Sequence, residues 1–289
     1  MAGDMNGIDR RSLIAAAALA LPACARAAAP GVTALRVAGE HLYLPAVING
    51  VAVEALLDSA AETSIVDTAF AAQLGLRGGE VVTARGTGAG TTAATLVAGV
   101  VIDVAGLRLR PEAVAVIDLS GIARRLANGP IRMIIGRDLF DAAPLAIDIA
   151  AATLSVMPRR DQRGHRLPLT ARRGIEAVPI GIEGHAASAD FDLGNGATVL
   201  IGADFAARHR LLDQRVTSVI QGGGIGGETR QTSFTVRALD IAGVRFPNVP
   251  VAIDASPTAS DANIGVRLLR HFNIVTDFPA RSVWLDFRG

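Results

Sequence analysis

Asp58 and Asp192 each close an apolar run and open a turn of small residues. The first segment reads Ala55-Leu56-Leu57-Asp58-Ser59-Ala60-Ala61-Glu62-Thr63-Ser64-Ile65-Val66, the second Phe191-Asp192-Leu193-Gly194-Asn195-Gly196-Ala197-Thr198-Val199-Leu200. A carboxyl group serves as general acid or general base when its surroundings tune its pKa. A lone Asp-Ser after a strand would more simply cap backbone amides in a turn. These two are set apart because they repeat.

The repeat runs through the body of the chain. Gly50 corresponds to Gly184 and Asp58 to Asp192, both 134 positions apart. Downstream, Ala105-Gly106 corresponds to Ala242-Gly243, and Ala115-Val116-Ile117-Asp118 to Val251-Ala252-Ile253-Asp254. Ile135-Gly136 corresponds to Ile264-Gly265, and Leu145 to Asp148 corresponds to Asn273 to Asp277. Self-similarity on this scale means two copies of one structural unit. The expected organisation is a first lobe over 30–158 and a second over 165–289, joined by a polar link from Pro158 to Gly164. Asp118/Asp254 and Asp148/Asp277 are also repeated pairs. They lack the small-residue loop and are read as structural. Asp190, two residues before Asp192, is read as a surface or interface charge.

Composition removes several chemistries. The chain has 289 residues, 50% of them hydrophobic and 19% charged, enough for a sizeable core. Its 28 basic residues are all arginine and its net charge is +1. Without lysine there is no Walker A loop and no Schiff base, and the charge balance gives nucleic-acid binding no support. The one cysteine, Cys24, lies near the N-terminus, and the histidines (His41, His165, His185, His209, His271) show no metal-ligand spacing. No metal and no cofactor is expected.

The elements that must position the aspartates read mostly as β. Asn49-Gly50 is a hairpin signal between apolar runs. Thr95 to Val104 and Asp240 to Pro250 read as strands. Asp67 is placed to N-cap a short helix ending at Leu74 before Gly75, with a counterpart over 203–209. Short helices are also expected after Gly136 (137–140) and after Gly265 (266–272). Two Gly-rich stretches, 85–91 and 221–227, read as hairpin tips. The second satisfies G-x-G-x-x-G through Gly222, Gly224 and Gly227, but a β-branched run follows where a dinucleotide site needs a helix.

The Asp58 segment resembles the apolar-apolar-D-[ST]-[GA]-A signature of retropepsin-type aspartic proteases. Ile134-Ile135-Gly136-Arg137-Asp138 resembles that family's later apolar-apolar-Gly segment, and the second lobe carries a weaker copy of both. The resemblance implies a mostly β fold of two homologous retropepsin-like β-barrel lobes with a few short helices and the active site at the lobe interface. It implies that Asp58 and Asp192 form a catalytic dyad. Two carboxyls about 3 Å apart cannot both ionise, so such a pair shares one proton and titrates as a unit.

The same resemblance gives supporting roles to the turn residues Ser59, Ala60, Ser64, Gly194 and Thr198. A hydroxyl after each Asp bonds across the interface: Ser59 has one and Leu193 does not. Ser64 and Thr198, six positions after their aspartates, would bond back toward the carboxylates. Gly86, Thr87 and Gly88 in the first lobe and Gly223 and Gly224 in the second would form flaps over a bound peptide.

Residues 1–29 read as a twin-arginine-like signal peptide. Arg10-Arg11 precedes a short apolar run and Ala-rich cleavage sites. The expected compartment is the periplasm or cell envelope, and lipidation at Cys24 would add a membrane tether. The expected activity is endopeptidase cleavage of a peptide or protein substrate by a monomer, because one chain supplies both aspartates. The alternative is a non-catalytic peptide- or partner-binding module, favoured by Leu193 and Ala60.

Overall fold

The computed structural model describes residues 31–86, 88, 90–126, 129–157 and 162–289. The expected signal peptide and the 158–161 part of the link lie outside these residues, as does Thr87. The fold is mostly β, with five short helices and three sheets among the described residues.

Each lobe has a sheet of its own, ten-stranded in the first and eight-stranded in the second. The third sheet is shared. Its order is Val32–Ala34, Thr153–Val156, Leu145–Asp148, then Phe272–Asp277, Ser282–Phe287 and His165–Pro168. The first three strands come from lobe one and the last three from lobe two. They join where Leu145–Asp148 runs antiparallel to Phe272–Asp277, with Leu145 opposite Thr276 and Asp148 opposite Asn273. The order is therefore the same read from either lobe, as a pseudo-twofold requires. Leu145, Ile147, Leu154, Ile274, Val283 and Leu285 are all buried, so this sheet welds the lobes through apolar area removed from water. Phe140 of lobe one stacks on Phe278 of lobe two with ring centroids 5.0 Å apart.

Inside each lobe the strand leading to the aspartate is clamped by a parallel neighbour. Val51–Leu57 rises from the Asn49-Gly50 turn, whose φ values of 47° and 84° suit those two residues. Met133–Ile135 runs parallel to it and antiparallel to Ile65–Asp67. The chain after Ile135 thus crosses the Asp58 loop, and a Cβ on Gly136 would lie 2.5 Å from Thr63 O. In lobe two Gly265 crosses the Asp192 loop, and its Cβ would lie 2.0 Å from Asn195 O. Only glycine permits either crossing.

The helices follow the capping logic. Asp67 accepts hydrogen bonds from Ala69 N and Phe70 N and starts the helix Thr68–Gln73. Its counterpart is Ala203–Arg208, and Arg137–Ala142 follows Gly136. The helix after Gly265 covers only Val266–Leu269, because Phe272 already opens a strand of the shared sheet. Two expected strands are broken. Asp240 to Pro250 turns at Ala242-Gly243 (φ 52° and 77°), and Thr95 to Val104 divides into Thr91–Val97 and Ile102–Val104 around Gly99 (φ 77°). The helix Ser120–Leu126 was not anticipated and lobe two has no copy of it.

Candidate active site

The two aspartates meet at the lobe interface. Asp58 N–H donates to Ile135 O at 2.9 Å, and Asp192 N–H to Ile264 O at 3.0 Å. Each carboxyl then turns back on its own loop. Asp58 Oδ1 accepts from Ala60 N and Ala61 N (2.9 and 3.1 Å), and Asp192 Oδ1 from Gly194 N and Asn195 N (2.9 and 3.0 Å). The two carboxyls are close enough for each to act on the other's protonation. Asp58 lies against the opposite loop so closely that a Cβ on Gly194 would stand 2.4 Å from its Cγ.

Burial, then the charge of Asp192, pushes Asp58 up to about 7, against the pull of the Ala60 and Ala61 amides. Burial also raises Asp192. Asp192 has one donor more than Asp58, since Asn263 Nδ2 reaches its Oδ2 at 2.7 Å and is itself held by Asn195 Nδ2 on Oδ1, also at 2.7 Å. That third bond favours the anion on Asp192, so a single proton held by the pair would rest on Asp58.

Ser59 ties the loops together. Its Oγ donates to Phe191 O at 2.7 Å and accepts from Leu193 N at 2.9 Å, both across the interface. Leu193 has no hydroxyl to return these bonds, and its side chain is fully buried in the core instead. Ala60 occupies the loop with its N–H on Asp58.

The second hydroxyl pair does something other than expected. Ser64 Oγ accepts from Gly136 N at 3.2 Å, and Thr198 Oγ1 donates to Pro250 O, so neither reaches a carboxylate. Nor are the two equivalent. Thr63 Oγ1 donates to Ala113 O at 2.8 Å, which is the Thr198 bond in lobe one. The Asp192 loop holds one residue more than the Asp58 loop, so counting six from each aspartate slips by one.

The flaps are the hairpins Glu80–Arg85 with Thr91–Val97, and Ser218–Gly224 with Gly227–Ile241. Their tips touch: Gly88 N donates to Ile225 O at 3.0 Å and Gly90 N to Gly226 O at 2.9 Å. Gly86 packs on Ile225, with a would-be Cβ 2.9 Å from Ile225 Cβ. Gly223 and Gly224 are paired within their own hairpin, opposite Glu228 and Gly227. The contact point is therefore Ile225-Gly226, one step beyond the glycines expected there. The G-x-G-x-x-G glycines belong to this hairpin and lead into a strand.

Each lobe also grips the other's aspartate loop. Glu40 pairs with Arg270 (2.8 Å), and a Cβ on Gly196 of the Asp192 loop would meet His41 at 2.5 Å. In reverse, a Cβ on Gly174 of lobe two would meet Glu62 of the Asp58 loop at 2.5 Å, and Arg137 bonds Gly174 O at 3.0 Å and the fully buried Glu176 at 2.9 Å.

Beneath the flaps the two walls differ. The strand registers equate Leu56 with Asp190, Ile134 with Asn263, Leu96 with Ser233 and Ile117 with Asp254. In lobe one these positions, with Ala94, Tyr43 and Ile65, form an apolar cluster that also takes in Ala61 of the Asp58 loop and Ile225 from the opposite flap. In lobe two they are polar. Asp190 is a buried group, 8% exposed, rather than a surface charge, and burial pushes it up to about 6. Asp254 takes the place of Ile117, not of Asp118, and burial raises it too. Sequence reasoning missed Asn263, although a polar residue directly before Ile264-Gly265 breaks the apolar-apolar-Gly pattern and could have marked it. Among the described residues no group of three or more His, Cys, Asp or Glu is arranged to hold a metal ion.

Residues 44–139 match the aspartyl protease family model. The match runs from the strand before Asp58 through the first flap and the Gly136 crossing, so this stretch is similar to aspartyl protease sequence. The second lobe lies beyond it. No curated protein matches the chain.

Proposed function

We propose that the protein is an aspartic endopeptidase whose catalytic pair is Asp58 and Asp192. The observation that carries this reading is the meeting of two carboxyls on symmetry-related loops at the lobe interface, with Asp58 packed against the Asp192 loop, beneath two flaps. A water held between the carboxyls loses a proton to the ionised partner, Asp192, as it attacks the scissile carbonyl carbon. Asp58 delivers its proton to the carbonyl oxygen, giving a neutral tetrahedral diol. Collapse breaks the C–N bond, the nitrogen takes the proton held by Asp192, and a hydroxyl proton of the diol restores the pair. The peptide lies in the cleft as an added strand once the flap tips part.

Leu193 does not remove the pair. The two bonds of Ser59 hold the loops in register, and the missing half is replaced by apolar packing. The specific observation that favours a non-catalytic binding module is the closure of both flap tips by backbone bonds. The chain acts in the periplasm or cell envelope as a monomer, exported by residues 1–29 and tethered if Cys24 is lipidated. Cell fractionation of the full chain beside an Arg10→Gln, Arg11→Gln variant tests the address, with the variant expected to stay in the cytoplasm.

The activity is tested with a mixed peptide library between about pH 3 and 8, the range open to a shared-proton pair. Asp58→Asn and Asp192→Asn are run beside the wild type, with circular dichroism as a folding check. Cleavage by the wild type that is lost in both folded variants is the expected result. Cleavage that survives either substitution contradicts the assignment. Peptide binding without turnover at any pH moves the reading to the binding module.

A further inference from the structure

The unequal walls of the cleft say what kind of peptide it takes. In lobe one the wall beside Asp58 is hydrocarbon: Leu56, Ile134, Ile117 and Leu96. In lobe two the equivalent wall beside Asp192 carries Asp190, Asn263, Asp254 and Ser233. Buried polar groups normally find partners within the fold, and Asn263 does. Three groups on this wall are left with unused acceptor capacity.

Asp190 takes one bond, from Ser260 Oγ to Oδ1 at 2.7 Å, and has no ion-pair partner among the described residues. Arg172, an exposed residue, acts on it only through space. Gln231, at the position of Ala94 on the covered face of the second flap, is 7% exposed, and its amide has no partner among the described residues. That amide lies along the flap over Gly222, whose Cβ would meet Gln231 Oε1 at 2.3 Å. Two residues along the same face and opposite Gly222, Thr229 Oγ1 is buried with no hydrogen-bond partner. The lobe-two half of the cleft thus holds a carboxylate with a single donor, from Ser260, beside an amide oxygen and a hydroxyl oxygen with none among the described residues. An ammonium or guanidinium brings several donors and a positive charge, and no acceptor.

We infer that the lobe-two half of the cleft is a specificity pocket for a lysine or arginine side chain, charge-paired to Asp190 and hydrogen-bonded by Gln231 and Thr229, while the lobe-one half takes an apolar side chain. The preferred substrate therefore carries an apolar residue on one side of the scissile bond and a basic residue on the other. This rests on the endopeptidase reading for the cleavage, though not for the binding. Burying the cation without Asp190 would leave it unpaired, and burying Asp190 beside an apolar side chain leaves the carboxylate unpaired, so the pocket discriminates in both directions.

The test uses matched peptides with Leu-Arg, Arg-Leu and Leu-Leu at the central pair, measured as kcat/KM for cleavage and, with non-cleavable reduced-bond versions, as Kd by calorimetry. Wild type is expected to favour one of the two basic peptides over Leu-Leu. Asp190→Asn keeps the shape and the Ser260 contact, and Asp190→Leu installs the lobe-one residue. Either is expected to lower the basic-over-apolar ratio by about tenfold or more. Gln231→Ala, again the lobe-one residue, lowers the ratio by a smaller factor. If no peptide is cleaved but the basic reduced-bond peptide binds more tightly in an Asp190-dependent way, the endopeptidase reading fails and the pocket stands. If cleavage occurs with Leu-Leu preferred, or with a basic preference that Asp190→Asn leaves intact, the pocket is overturned and the dyad stands. If neither basic reduced-bond peptide binds more tightly than the Leu-Leu one, and none is cut faster, the pocket is overturned as well.

Discussion

The two lobes are copies in topology and opposites in the chemistry of their inner walls. Each has a strand ending in Asp, a parallel clamp, a glycine crossing and a flap. Each holds its aspartate by one N–H on the main chain and two on the carboxyl. Yet Asp58 sits beside Leu56 and Ile134, whereas Asp192 sits beside Asp190 and Asn263. The cross-lobe bonds are one-sided as well, given by Ser59 and not returned by Leu193. The backbone geometry that brings the carboxyls together is thus kept twice, and side chains around it are free to diverge. Divergence of this kind gives Asp192 a donor that Asp58 lacks and lines the two halves of one cleft with unlike side chains.

The comparison breaks hardest at the aspartates. Asp58→Asn or Asp192→Asn is expected to lower kcat/KM by about a thousandfold or more, because neither remaining carboxyl can act as both acid and base. A loss of less than tenfold, with the fold intact, would mean that the lobes do not act as a pair.

Next in size is stability against pH. Asp58 has a pKa of about 7 in the fold and near 4 in an unfolded chain. Between those values the folded state binds more protons, so its stability falls as pH rises from about 4 to 7 and is level above. Asp58→Asn removes that slope. The variant is expected to be more stable than wild type at pH 8 by about 2–4 kcal/mol, with the gain shrinking toward pH 4. Denaturant melts at the two pH values read this directly, and a gain equal at both would contradict it.

Ser59→Ala leaves Phe191 O and Leu193 N buried without partners and is expected to cost about 2–4 kcal/mol. Asn263→Ile, the residue of lobe one, removes a donor from Asp192 and raises its pKa further. The acid limb of the pH–rate profile is then expected to move to higher pH with little change in the maximum. The smallest effect is expected from Leu193→Thr, which supplies the missing hydroxyl but gives up apolar packing, leaving stability within about 1.5 kcal/mol of wild type.

Much of this was legible before the structure. The Asp58 and Asp192 segments, the Gly136 and Gly265 crossings, the Asp67 cap and both flap hairpins all show in short sequence patterns. Features that depend on register were not. One extra residue in the Asp192 loop misaligned Ser64 with Thr198, whereas Thr63 is the true counterpart. A shift by one residue also matched Asp254 to Asp118, which hid its place on the cleft wall at the Ile117 position. The shared sheet was invisible because Leu145–Asp148 meets Phe272–Asp277 across more than a hundred residues of chain. Asp190 reads in sequence only as a surface or interface charge, because the alternation of a strand tells which face a residue is on, not what covers that face.

The shared proton is the point on which the proposed chemistry turns, and it can be read without a substrate. Carboxyl carbons of 13C-labelled aspartate, followed by NMR from pH 3 to 9 in wild type and in each Asn variant, report the pair directly. The expected result is a coupled titration with a step near 7 that vanishes when either partner is replaced, the remaining carboxyl then titrating at lower pH. Two carboxyls that each titrate below about 5, unaffected by loss of the other, would contradict it.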